Sequence, residues 1–307
     1  MSVIGIDTSN YTTSIAYFDG VGGENYSRIL PVKQGELGLR QSDAVFAHIK
    51  GLPELSGRLF SHVTKDSITA VGVSTRPRAV EGSYMPCFQV GISHARLLSD
   101  ALGVPLVQVS HQQGHVAASL WSAGHLELMG QPHLAWHLSG GTTELLLVVP
   151  EGRNVKCTRI GGTTDISAGQ LIDRTGQLLQ LPFPSGRYLD VLSREAVGKE
   201  VFRVKCTGSE FSLSGVQNKV QQFHGRSGVP AETAAFALRC VAGAVAQATE
   251  QARKAYPGLR VVFSGGVASN SLLREVLAPM EPIFAQPSFS TDNAMGVAVL
   301  AHRMTEG

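Results

Sequence analysis

Two distant stretches of this chain share one outline, and that repetition constrains the fold more than any other feature. Residues 3–18 read VIGIDTSNYTTSIAYF and residues 134–149 read LAWHLSGGTTELLLVV. Each is an apolar strand, a short polar turn holding a Thr-Thr pair, and a second apolar strand. A hairpin with small hydroxyl and glycine residues at its tip presents backbone N–H groups to an anion. Many single hairpins look like this. Two copies point to a duplicated domain whose lobes each direct a hairpin at a shared cleft.

A third piece lies near the C-terminus. Leu259–Phe263 is an apolar run, Ser264-Gly265-Gly266-Val267-Ala268-Ser269-Asn270 is a turn, and Ser271–Leu277 reads as a helix. Strand, glycine pair and helix let a nucleotide lie against a helix N-terminus, although an ordinary strand-to-helix turn has the same form. A strand at Ala70–Ser74 and helices at Gly91–Leu102 and Ala231–Tyr256 complete an alternating pattern of mixed α/β type. The expected fold class is therefore α/β, a two-lobed actin/Hsp70/sugar-kinase-like architecture with duplicated ribonuclease-H-like lobes and a central cleft. The expected division is an N-terminal lobe of residues 1–109, with 290–307 packing back on it, and a C-terminal lobe of residues 110–289 carrying the metal and nucleotide site.

Composition narrows the class. The 307 residues are 43% hydrophobic and only 16% charged, against roughly 25% charged in an average soluble domain. A net charge of +2 gives no argument for nucleic acid by itself. The basic residues between Arg187 and Arg226, including Arg194, Lys199, Arg203, Lys205 and Lys219, form either a phosphate-contacting stripe or, more commonly, a solvated face. Cys87, Cys157, Cys206 and Cys240 are scattered without a CxxC pair and read as free thiols. The N-terminus runs directly into a strand, and the apolar runs fall short of the roughly 18 residues of a membrane span, so a cytoplasmic protein is expected.

After the apolar run GVPLVQV (Gly103–Val109) comes Ser110-His111-Gln112-Gln113-Gly114-His115, opening a small-residue helix. Positions i and i+4 share one helix face, so His111 and His115 are able to grip one metal ion from the same side. Gln112 stands where a zinc-protease box has its general-base glutamate, which argues against peptidase chemistry. An isolated pair of this kind is more often two structural histidines.

Together these segments resemble the tRNA N6-adenosine threonylcarbamoyltransferase family, once called glycoproteases. The resemblance runs in order through IGIDTS (Ile4–Ser9), SHQQGH (Ser110–His115), HLSGGTTEL (His137–Leu145), Asp173 in GQLIDR, and Gly186 in LPFPSG. It continues through FSLSG (Phe211–Gly215), SGGVASNSLLR (Ser264–Arg274) and TDNAM (Thr291–Met295). The resemblance implies that His111, His115 and Asp292 ligate one divalent metal, iron or zinc. It implies that His137, Leu138, Ser139, Gly140 and Gly141 lie along the phosphate and carbamoyl part of an adenylated substrate. By the same resemblance Asp173 takes the ribose hydroxyls, Gly186 admits the nucleotide, and Asn270 reaches the nucleoside end. Asp173 and Asp292 also read as helix caps, and Asn270 as the N-cap of the helix that follows it.

The implied reaction is acyl transfer from threonylcarbamoyl-AMP to N6 of the adenosine beside the tRNA anticodon. The implied partners are tRNA, a homologous non-catalytic subunit and an ATPase, or a second copy of the chain, with no membrane. Several positions depart from the family pattern. Arg76-Pro77-Arg78 replaces a Gly-Pro-Gly turn, Thr142 a histidine, Gln170 a glutamate, Gln217 a lysine, and Asn10-Tyr11 an acidic, cysteine-containing turn. They mark a diverged member or paralogue with related carbamoyl-transfer chemistry. Two other classes stay open: a nucleotide-binding partner subunit without catalysis, and an ATP-dependent phosphotransferase of the same architecture.

Overall fold

The first hairpin forms as its alternation dictates. In the computed structural model, which describes residues 1–9, 11–31 and 39–306, strands β1 (Ser2–Ser9) and β2 (Thr12–Phe18) pair antiparallel, with Ile6 opposite Ile15. β3 (Gly23–Ile29) adds to β2, and α1 (Gln41–Phe60) packs on one face. Ile4, Ile6 and Ile15 from the strands meet Leu52, Leu55 and Leu59 from the helix in one buried cluster. β4 (Ile68–Ser74) runs parallel to β1, α2 (Phe88–Leu102) follows, and β5 (Leu106–Val109) runs parallel to β4. The sheet order is β3-β2-β1-β4-β5. The strand expected from Gly103 begins at Leu106, because Gly103 ends α2 in the left-handed conformation at φ 66°. Helix α3 (His111–Ser122) comes next.

The order repeats further along the chain. Strands β6 (His133–Leu138) and β7 (Thr143–Glu151) form the second hairpin, and β8 (Asn154–Thr163) lies beside β7. Helices α4 (Ala168–Leu178) and α5 (Gly186–Ser193) precede the short strands β9 (Cys206–Thr207) and β10 (Glu210–Phe211). After α6 (Ser214–Ser227) and α7 (Pro230–Ala255), β11 (Val261–Ser264) runs parallel to β6. Helix α8 (Ser271–Leu277) leads to β12 (Ile283–Phe284), parallel to β11. The order β8-β7-β6-β11-β12 within the second sheet is that of the first, extended by β10 and β9. α7 starts with proline at its first turn and buries an alanine- and valine-rich face against Trp136 and Phe263. The Trp136 indole N–H donates to Thr249 Oγ1 at 2.9 Å inside that core.

The chain closes with α9 (Met295–Thr305), which packs on β1, β4 and α3. One compact unit therefore comprises Met1–Gln131, Val149–Cys157 and Asp292–Gly307, and the other Pro132–Val148 and Thr158–Thr291. The expected lobe boundary near residue 109 falls inside the first unit. α3, placed by expectation in the C-terminal lobe, belongs to the first because α9 lies along it. Among the described residues no helix is long and apolar enough to cross a membrane.

Candidate functional site

Helix α3 is fixed at its start by three local devices. Ser110 caps it reciprocally with Gln113: the Ser110 hydroxyl accepts from the Gln113 N–H, and the Gln113 side chain accepts from the Ser110 N–H. The Gln113 amide also donates to the Val155 carbonyl at 2.7 Å. The first-turn N–H groups of His111 and Gln112 donate to the carbonyls of Arg76 and Pro77 at 2.9 and 3.0 Å. The Arg-Pro-Arg segment, a departure from the family pattern, thus docks by its backbone on the start of α3.

Asp292 comes to the histidines by a close helix crossing. A Cβ on Gly296 of α9 would overlap the Gly114 carbonyl of α3, so the two helices approach backbone to backbone. His111 Nε2 and His115 Nε2 stand 2.9 Å apart, and Asp292 Oδ1 lies 3.5 Å from the first and 3.3 Å from the second. Ser9 Oγ donates to Asp292 Oδ2 at 3.3 Å. On the other side of its ring, His111 Nδ1 lies 3.0 Å from Oδ1 of the fully buried Asp7, which also accepts from the Ser74 hydroxyl.

This is a dense charge cluster. Burial opposes a charge on His111, yet Asp7 and Asp292 together push its pKa up to about 10. Burial likewise works against the Asp292 carboxylate, and the hydrogen bonds and charges of His111 and His115 outweigh it, holding the group well below the carboxylate range. Asp7 is also lowered: against burial it has the His111 ring and the Ser74 hydroxyl.

The donor set fits a transition-metal ion. Ligands about 2.1 Å from one ion in tetrahedral or octahedral geometry stand roughly 3.0 to 3.4 Å apart. The three donor atoms here are separated by 2.9 to 3.5 Å. Two imidazoles and one carboxylate suit zinc or iron and leave positions for substrate, whereas magnesium prefers oxygen donors.

The other sequence-derived residues all lie in the second unit, His137–Gly141 and Asn270 at or beyond the carboxyl ends of the parallel strands β6 and β11. His137 registers with Ser264. Ser139, Gly140 and Gly141 form the β6–β7 turn, closed by Ser139 N–H donating to the Thr142 carbonyl at 2.8 Å. The turn rests on the start of α4: Ser167 Oγ donates to the Gly140 carbonyl at 2.6 Å, and the Ala168 N–H to Thr143 Oγ1 at 2.8 Å. A Cβ on Gly140, Gly141 or Gly266 would meet nothing within 4 Å, so packing within the protein does not require glycine there. Gly265, at φ 92° and against Leu138, is required by the fold.

Asp173, Gly186 and Asn270 converge on α5. Asp173 Oδ1 accepts the Ser185 N–H at 2.8 Å just ahead of Gly186, and burial raises the Asp173 pKa. A Cβ on Gly186 would touch only Ile172, at 3.9 Å. Asn270 caps α8, accepting from Leu273 N–H at 2.9 Å, and donates to Asp190 Oδ1 at 3.1 Å. Asp173 lies within α4 and Asp292 ahead of α9, whose N-cap is Ala294, so neither caps the helix start it adjoins.

The departures have structural counterparts. Gln170 keeps a capping box with Ser167, so the amide does locally what a glutamate would. Gln217 accepts from Arg174 at 2.6 Å, a role lysine cannot fill. Asn10 lies outside the described residues. The basic stripe is partly engaged within the unit, Arg194 with Asp190 and Arg226 with Glu200.

Sequence reasoning overlooked Asp7, Ser9, Ser74 and Asp190. Asp7 carries a signal that was available: a carboxylate inside an apolar strand is costly unless something pairs with it.

Comparison with known proteins gives the family. A family model described as tRNA N6-adenosine threonylcarbamoyltransferase matches residues 36–299. The chain belongs to this family. A relative of that name from Carboxydothermus hydrogenoformans is 31% identical over 274 residues, covering 85% of this chain and 78% of the relative. One from Archaeoglobus fulgidus is 30% identical and covers 91% and 82%; one from Streptococcus suis is 34% identical and covers 79% and 73%. Solved structures extend the likeness to the fold. Full-length HypF superposes at TM-score 0.62 with 14% identity, covering all of this chain and 47% of HypF. A ROK family glucokinase from Streptomyces griseus superposes at 0.56 with 12% identity, covering 99% and 100%. The threonylcarbamoyltransferase family member described here thus has the actin/Hsp70/sugar-kinase fold expected from its two hairpins.

Proposed function

We propose that this chain transfers the threonylcarbamoyl group of threonylcarbamoyl-AMP to N6 of the adenosine beside the anticodon of tRNA. The observation that carries the reading is the convergence of His111, His115 and Asp292, in a member of this family, at separations that suit one divalent ion. Iron or zinc held there would supply Lewis-acid polarisation of the acyl group. In the reaction N6 attacks the carbamate carbonyl, the new N–C bond forms, the anhydride C–O bond breaks, and AMP departs with the electron pair while the N6 proton passes to solvent.

The protein's own residues bind and orient. The Ser139-Gly140-Gly141 turn, backed by the N-terminus of α4, offers the N–H groups of Gly140 and Gly141 to phosphate oxygens. Asp173, with one oxygen committed to Ser185, uses the other on a ribose hydroxyl. Gly186 leaves the start of α5 open for the nucleoside, and Asn270 marks its far end. An amine and an activated carbonyl need chiefly positioning and charge stabilisation, which these groups provide. A homologous non-catalytic subunit and an ATPase complete the system under this reading. The His-His-Asp donor set argues against a magnesium-dependent phosphotransferase.

The test is metal content of the purified protein beside a His111→Ala/His115→Ala double variant, followed by transfer assays on both. Stoichiometric iron or zinc that disappears in the variant together with transfer is expected. Equal transfer by a metal-free double variant refutes the reading.

A further inference from the structure

We infer that Asp7 is the positioning residue of the His111–His115–Asp292 centre, holding the His111 ring in the tautomer whose Nε2 is free to ligate. The inference rests on the proposed metal reading and goes beyond the three ligands. Asp7 stands in β1 with no exposure, between Ile6 and Thr8, on the face turned toward α3 and α9. Its Oδ1 takes the His111 Nδ1 contact at 3.0 Å and the hydroxyl of Ser74 on the adjacent parallel strand. Its Oδ2 has no hydrogen-bond partner among the described residues. Burying a carboxylate with one oxygen unpaired is costly.

The chemistry at His111 explains that cost. A ring nitrogen ligates only through an unprotonated lone pair, and a neutral imidazole has one protonated nitrogen. A fixed carboxylate beside Nδ1 keeps the proton there. Nε2 is then the nitrogen left facing His115 Nε2 at 2.9 Å and Asp292 Oδ1 at 3.5 Å. The carboxylate sits on paired strands rather than a loop, and Ser74 fixes its rotation, so the ring plane is set before any ion arrives. Partners of this kind orient a ligand and raise its basicity, and losing one costs roughly 10- to 100-fold in metal affinity.

The test uses full-length protein and zinc, with chelator competition to read the dissociation constant. Asp7→Asn has nearly the same shape but is free to turn its amide N–H toward Nδ1 and favour the wrong tautomer. We expect it to bind zinc roughly 10- to 100-fold more weakly while its circular dichroism stays native. Ser74→Ala, which only loosens the carboxylate, is expected to fall between it and wild type. Long-range ¹H–¹⁵N spectra of wild-type protein give a readout that needs no variant. In the zinc-loaded state His111 should be protonated at Nδ1 and bare at Nε2. A folded Asp7→Asn that binds zinc within about twofold of wild type overturns the inference, as does an Nε2-protonated His111. Wild-type protein that takes up no zinc refutes the metal reading itself, and this inference with it.

Discussion

Gly296 and Gly114 touch backbone to backbone: a side chain on Gly296 would occupy the space of the Gly114 carbonyl and the Ala118 N–H. Gly114 is the glycine of the His111-to-His115 segment, and Gly296, in the first turn of α9, follows Asp292 by four residues. The contact thereby links the two ends of the chain that supply the candidate ligands. Gly296→Ala should push α9 away from α3, costing about 1–3 kcal/mol as an overpacked core does. It should also separate Asp292 from both histidines. Urea unfolding and metal content measured together check this, and a variant with wild-type stability would show that the crossing tolerates a methyl group.

Metal uptake should depend on pH through His111. Its pKa of about 10 means that at neutral pH the ring holds a proton that an incoming ion must displace. Apparent affinity should therefore rise with pH, by about tenfold per unit while one proton is released, up to about pH 10. The stability of the metal-free protein should follow the opposite trend. A folded pKa above the unfolded 6.5 gives stability that is full below 6.5 and lost as pH rises through about 10. Buffered zinc titrations at several pH values test the first statement, and thermal melts of the metal-free protein test the second.

Asp165 ties the segment Phe211–Gly215 to the start of α4. It accepts from the hydroxyls of Ser212 and Ser214 and from the Leu213 N–H at 2.8 Å. Partial burial works against its charge, but these bonds hold its carboxyl far below the usual range. The stabilisation is present above the unfolded carboxylate pKa of about 3.9 and is lost as pH falls through the folded value. Asp165→Asn should be less stable than wild type at pH 7, with the gap closing below about pH 4. A gap independent of pH would exclude the charge as its source.

Asn270 works in two directions, accepting from Leu273 and donating to Asp190. Asn270→Asp keeps the cap but sets two carboxylates against each other. It should cost at least the ~1 kcal/mol of the lost hydrogen bond to Asp190. Asn270→Ser keeps a cap acceptor without adding a charge. Denaturant midpoints that place Asp above Ser in stability would contradict this.

Much of the fold is legible in the sequence because the hairpins and the Ser264–Asn270 turn are local patterns, set by alternation and by glycine. The His111 and His115 pair is legible for the same reason, since four residues on a helix fix a face. The lobe boundary is not, because α3 is assigned by its packing on α9, an element at the far end of the chain. Asp7 escapes notice because its partner lies 104 residues away. Asp190 escapes because nothing near it in the sequence reveals that Asn270 and Ser271 will reach it.

The central claim is tested most directly by nucleoside mass spectrometry. Unmodified tRNA would be incubated with threonylcarbamoyl-AMP and the purified protein, in extract from cells deleted for its gene, which supplies the partner proteins. The account predicts N6-threonylcarbamoyladenosine beside the anticodon with wild-type protein and a large loss with Asp292→Asn. A tRNA left unmodified by wild-type protein, or modified equally by Asp292→Asn, would contradict it.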